Sequence, residues 1–300
     1  MHRRTVLLGA AAIAGTSLTA ALAQPLRRMH PTFGAPASRG SPGSVPMTLW
    51  RDAMPSVAVM IEGKGPFTLA IDTGAPGHVH LSERVAALVG LTASGQIMAS
   101  DPSGRTPVGI PTYKVKELTL GGLTLLDLQA DGLPPMGPKG ETLDGILGMD
   151  LFDAFTLTLD FKGRQVGLAS EPLPPANGQT IFDYPPGPLI ELALKIGDVP
   201  LTTHLDTGQS KTPLMVPQEL VARLATHGEA RKVGQARTVS QVIEMFSIAL
   251  DSPVSLGAVR FPVTEVYYPT VIPRGNLGSA ALQAMTVRID RPNRRLQFIT

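Results

Sequence analysis

The strongest constraint on the fold is that the chain states one pattern twice. The first statement runs "SVAVMIE", a "GKG" turn (residues 63–65) and "PFTLAIDTG"; the second runs "LIELALKI", a "GD" turn and "VPLTTHLDTG". Val57, Val59 and Ile61 alternate in one arm, and Phe67, Leu69 and Ile71 in the next. That period of two marks a strand with one buried face, so each statement reads as a β-hairpin ending on a carboxylate, Asp72 or Asp206. With average residue usage, one chance Asp-Thr-Gly falls in roughly one chain of this length in twenty, and two in about one in a thousand.

The repetition continues beyond the triplets. Each is followed by a short strand and a helix: "SERVAALVG" with Ser82 as N-cap, and "PQELVARLATHG" with Pro217 in the first turn and Gly228 past the end. "LTLGGLTLLDLQ" (118–129) answers "VSLGAVRFPVTEV" (254–266). "GILGMDLFDAFTLTLDFKGRQVGL" answers "GNLGSAALQAMTVRIDRPNRRLQFI", with Gly148 against Gly278 and Asp160 against Asp290. Two copies of a mostly β unit are thus expected, over residues 47–172 and 178–300, with the break in "EPLPPANGQT". The 31 Gly and 28 Pro support many short strands.

Residues 1–23 read as an export signal: a basic "MHRR", a mildly apolar stretch and a small-x-small end at Ala21-Leu22-Ala23. Arg3 and Arg4 resemble a twin-arginine signal, which implies a periplasmic or secreted protein with no membrane insertion after cleavage. Residues 24–46, rich in Pro, Gly, Ser and Arg, read as a disordered linker or pro-segment. Lys and Arg number 26 against 24 Asp and Glu, which leaves no footprint for nucleic acid. The absence of cysteine excludes thiol catalysis and leaves stability to burial, expected as two cores.

Two DTG triplets at strand ends, each followed by a hydrophobic-Leu-Gly element, resemble the pepsin and retropepsin aspartic peptidases and the bacterial aspartyl proteases similar to them. The resemblance spans about Met47 to Thr300. It implies an all-β, bilobal fold with Asp72 and Asp206 as a catalytic pair in the cleft between lobes. It also implies that Thr73 and Thr207 bond across to the opposite loop, that Gly74 and Gly208 allow close backbone approach, and that Leu147-Gly148 and Leu277-Gly278 back the two loops. No metal and no cofactor is called for; the partner is a peptide or protein substrate, and one chain suffices as a monomer.

The chemistry explains the residue types. Two carboxylates about 3 Å apart repel by roughly 5 kcal/mol at an effective dielectric of 20. That equals about four pK units, so the pair holds one shared proton near neutrality. One member is then a general base toward water while the other polarises a carbonyl.

Several positions depart from the family pattern. Ala75 and Gln209 stand where pepsins place a hydroxyl, and Asn276 replaces an apolar residue. The candidate flap around Pro102-Ser103-Gly104 lacks a tyrosine, and Tyr113 lies too far along. These departures support the alternative of a pepsin-fold binding or assembly module of the envelope that cleaves nothing. His78 and His80 alternate along one strand without a third metal ligand, and Asp150 reads as a helix cap. His204, matching Ala70, is expected to point away from Asp206's face.

Overall fold

The computed structural model describes residues 33–99, 108–133, 143–237, 242–269 and 274–300. The export signal expected over 1–23, the first part of 24–46 and the candidate flap tip Pro102-Ser103-Gly104 lie outside the described residues. Among those described, strands form two nine-stranded sheets and one six-stranded sheet, and α-helix is confined to Glu83–Val89 and Gln218–Val221. The architecture is all-β and bilobal. Among these residues no helix is long and apolar enough to cross a membrane.

Each nine-stranded sheet grows from one of the two hairpins. In the first half Met54–Ile61 pairs antiparallel with Lys64–Ile71, and the expected alternation buries Val57, Val59, Phe67, Leu69 and Ile71. The turn is Glu62-Gly63 rather than the whole "GKG", because Ile61 pairs directly with Lys64. Strand Gly145–Leu147 then inserts between the two arms that flank the first triplet. It runs parallel to Lys64–Ile71, with Leu147 opposite Ile71, and antiparallel to Val79–Leu81.

The second half repeats this plan. Glu191–Ile196 pairs with Val199–Asp206, and Gly275–Gly278 lies parallel to the latter and antiparallel to Leu214–Met215. Each loop carrying a triplet therefore bends around the end of an inserted strand. This fixes the position of each aspartate through main-chain bonds.

The six-stranded sheet joins the halves. Its central pair is Thr156–Asp160 against Thr286–Asp290, with Thr158 opposite Arg288. Leu157, Leu159, Val287 and Ile289 are fully buried there, each contributing about 1.5–3 kcal/mol by leaving water. The two separate cores expected from the sequence are instead one continuous apolar cluster running from Met47 to Phe298, with a small second cluster around Met54.

Two further expectations are corrected. Over its described part, the segment 24–46 is not disordered: Ala37–Gly40 pairs with the strand Leu123–Gly132, and Ser44–Pro46 pairs with Gln165–Ala169. Those residues are exposed or half-buried and are held by main-chain pairing, which leaves no apolar period to read. Ser44–Pro46 is the counterpart of Ile181–Asp183 at the opposite edge, so the repeat begins before Met47. The second helix stops at Val221, and Thr226–Arg237 is a strand pairing with Val242–Leu250. There the β-branched Thr226 and the flexible Gly228 yield to sheet pairing. The first helix matches expectation, with the Ser82 hydroxyl accepting from the Val85 amide at 3.3 Å and Gly90 in the left-handed region.

Candidate active site

The two triplets meet across the interface between halves, and their threonines interlock. The Thr73 amide donates to Thr207 Oγ1 at 3.0 Å, and the Thr207 amide donates to Thr73 Oγ1 at 2.9 Å. The Thr73 hydroxyl donates to the Leu205 carbonyl at 2.8 Å and the Thr207 hydroxyl to the Ile71 carbonyl at 2.6 Å. Both side chains are buried, so all four bonds lie away from water and hold the loops in one relative position.

The glycines bring the aspartates together. A Cβ on Gly208 would lie 2.3 Å from Asp72 Oδ2, and one on Gly74 would lie 2.8 Å from Asp206 Cγ. Each carboxylate thus rests on the bare backbone of the opposite loop, a place no other residue can occupy without displacing it. The Gly74 amide donates to Asp72 Oδ1 at 2.8 Å, and the Gln209 amide to Asp206 Oδ1 at 3.1 Å.

The inserted strands back both loops. The Asp72 amide donates to the Leu147 carbonyl at 3.1 Å and Gly148 donates to the His78 carbonyl at 2.9 Å. In the second half Gly278 donates to Pro213 at 3.0 Å, and Ser279 to Gln209 at 2.9 Å. A Cβ on Gly148 or Gly278 would fall 2.4 Å from the Gly77 carbonyl or 2.3 Å from that of Thr212. Leu147 and Leu277 are fully buried beneath the loops.

The surroundings of the two carboxylates differ. Ala70 and Ile146, register partners on the face below Asp72, join an apolar cluster with Met54 and Leu143, against which Trp50 and Ala75 pack. The matching partners in the second half are His204 and Asn276. Asn276 Nδ2 donates to Asp206 Oδ2 at 2.5 Å, and His204 Nε2 lies 3.7 Å from the same oxygen. The expectation that His204 points away is therefore overturned. Residues two apart on a strand share a face, so the alternation that places Asp206 in the cleft places His204 beside it. Asn276 is brought there by the parallel register of Gly275–Gly278, which sets it opposite His204.

These surroundings divide the pair electrostatically. Burial, and then the Asp206 charge, push the Asp72 carboxyl up to about 8. Burial also acts to raise Asp206, but His204, Asn276 and the Asp72 side chain outweigh it and hold that carboxyl below its ordinary value. Both aspartates are half-buried, the Asp206 side chain keeping 19 % exposure, so the pair opens to solvent. Gln209 contributes only its amide, because its side chain accepts from the Lys211 amide at 3.2 Å and its Nε2 is 4.0 Å from Met215 Sδ.

The remaining candidates do not gather at the site. His78 Nε2 donates to the Gly34 carbonyl at 3.0 Å and Nδ1 accepts from Gln129, while His80 Nε2 donates to the Pro76 carbonyl at 2.8 Å. Among the described residues no group of three or more His, Asp or Glu could hold a metal ion. Asp150 is not a cap; its Oδ2 accepts from the Gly77 amide at 3.2 Å and so pins the first loop. Arg291 of the second half lies 3.8 Å from Asp150 and 2.7 Å from Asp153, extending that anchor across the interface. Strands Gly95–Ala99 and Val108–Leu120 pair as the flanks of the candidate flap, and Tyr113 is buried in the core.

No curated protein matches the chain. Residues 57–151, from the first hairpin through the first triplet to the inserted strand, match a protein-family model described as aspartyl protease. The second triplet lies outside that match and is tied to the first by the internal repeat. Over residues 57–151 the chain is thus similar to the aspartyl protease family, which is related to the retropepsin- and pepsin-like enzymes.

Proposed function

We propose that the chain is an exported, monomeric aspartic endopeptidase that hydrolyses peptide bonds with the Asp72/Asp206 pair. One observation carries the reading: two carboxylates seated on each other's loop glycines, over a buried reciprocal threonine lock. The family match over residues 57–151 alone supports peptidase chemistry only in general terms.

In this reading the ionised carboxylate takes a proton from a water whose oxygen attacks the peptide carbonyl carbon. The protonated carboxyl gives its proton to the carbonyl oxygen, so a neutral tetrahedral diol forms and the dyad's proton has changed sides. Collapse reverses the transfer. The diol hydroxyl returns a proton to the second carboxylate, the first gives its proton to the amine nitrogen, and the C–N bond breaks. Each turnover restores the starting state.

The test is incubation of purified protein with a mixed peptide library across pH, with and without pepstatin, beside Asp72→Asn and Asp206→Asn. Cleavage blocked by pepstatin, and lowered at least ~10³-fold by either substitution, is expected. Near-wild-type cleavage in both variants would refute the assignment. A folded wild type that binds peptides and cleaves none would favour the envelope binding module.

A further inference from the structure

The repeat makes an internal control of the site: two loops with one backbone plan whose matched positions beneath the carboxyls differ in polarity. Where the first half has Ala70 and Ile146, the second has His204 and Asn276. The geometry of both polar side chains is directed at one atom, Asp206 Oδ2. Asn276 is 6 % exposed, and its Oδ1 is buried without a hydrogen-bond partner, so the amide has its nitrogen turned to the carboxylate at the expense of its oxygen. A neutral, protonated Asp206 would not impose that orientation; a charged one does.

His204 shows the same preference. Its Nδ1 is buried without a partner, which leaves the Asp206 carboxylate as the ring's polar neighbour. Glu191, opposite His204 on the neighbouring strand, is the other carboxylate that could compete for the ring, and Arg274 is ion-paired to it. Among the described residues, Asp72 is the other titratable group facing Asp206. Around Asp72 the matched positions offer only methyl and methylene groups. A carboxyl in apolar surroundings keeps its proton, whereas one with a donor amide and an imidazole at its oxygen keeps its charge.

We propose that His204 and Asn276 are positioning residues that set the division of labour in the dyad: Asp206 is the ionised member that takes the proton from water, and Asp72 carries the shared proton to the carbonyl oxygen. The proposal rests on the peptidase reading for its chemical consequence but not for its test, because the charge on each carboxyl can be read in the free protein. The raised Asp72 and lowered Asp206 titrations agree with it.

The experiment gives the second half the residues of the first. Protein labelled with ¹³C at the Asp side-chain carboxyls is titrated by NMR as wild type and as the double variant His204→Ala/Asn276→Ile, with Asp72→Asn used for assignment. The Asp206 midpoint is expected to rise by about one pH unit or more in the double variant. The acid limb of kcat/KM is expected to move with it. His204→Gln, which keeps an N–H but no imidazole, should give a smaller rise.

An unmoved Asp206 midpoint in a folded double variant overturns the proposal. So does a His204→Gln effect as large as the double substitution, which would leave Asn276 no part in setting the charge. If the double variant does not fold, His204→Gln and Asn276→Ser made singly carry the comparison. A partial rise in either supports the proposal, and none in both overturns it. A shifted midpoint in a protein that cleaves no peptide would refute the peptidase reading and leave this inference standing; cleavage with no shift would do the reverse.

Discussion

The loop that follows Ile71 and the loop that follows Leu205 are built alike and serve unlike carboxylates. Both bend around an inserted strand, both put a threonine into the other's backbone, and both offer a glycine to the other's aspartate. They part most consequentially in side chains on the cleft face, apolar around Asp72 and polar around Asp206. The lesson is that duplication supplies positioning for two groups at once, while acid–base chemistry needs them unequal. Two identical carboxylates would share their proton without assigning roles.

The comparison breaks most sharply at the glycines. Gly208→Ala puts a Cβ 2.3 Å from Asp72 Oδ2, and Gly74→Ala one 2.8 Å from Asp206 Cγ. Relief needs a shift of the order of half an ångström or more, and misplacement on the 1 Å scale costs about 10²-fold in rate. Both variants should lose activity, Gly208→Ala the more, with overpacking that lowers stability by about 1–3 kcal/mol. Matched kcat/KM and thermal melts check this. A fully active Gly208→Ala would show that the backbone is not what spaces the pair.

Next in size is the threonine lock. Thr73→Val and Thr207→Val each leave a buried amide and a buried carbonyl without partners, at about 1–3 kcal/mol per orphaned group. Because the four bonds form one network, the double variant should cost less than the sum of the single ones. A double-mutant cycle on chemical denaturation measures it, and strict additivity would contradict a shared lock.

A further test separates the two carboxyls by stability. Asp72 keeps its proton up to about 8 in the folded chain but loses it near its ordinary value of 3.8 when unfolded. The folded state binds more protons over that interval, so this group's contribution falls as pH rises from about 4 to about 8. Asp206 is shifted down, so its contribution is present above the ordinary value and is lost as pH falls through its lowered one. At neutral pH, Asp72→Asn should melt above wild type and Asp206→Asn below it. Equal shifts in calorimetry would mean that the surroundings do not distinguish the two.

Much of this was legible in the sequence because it is carried by local pattern. The hairpins follow from the alternation at Val57–Ile61 and Phe67–Ile71, the first helix from Ser82 and Gly90, and the pairing of halves from Gly148 and Gly278. What was hidden depended on partners distant in sequence. Ala37–Gly40 and Ser44–Pro46 are strands only because other strands present free edges to them. The end of the second helix was set by pairing between Thr226 and Leu250 rather than by its own apolar period. The polar flank of Asp206 lay within reach of the period-two rule at His204, while Asn276 needed the parallel register to bring it there.

The proposed division of labour keeps one proton on this pair through the neutral range, on Asp72 rather than Asp206. Carboxyl ¹³C titration of the wild-type protein, assigned with the two single Asn variants, measures it most directly. Two well-separated steps are expected, one below the ordinary aspartate range that belongs chiefly to Asp206 and one near 8 that belongs chiefly to Asp72. Two overlapping steps near 3.8, or separated steps in the opposite order, would contradict it.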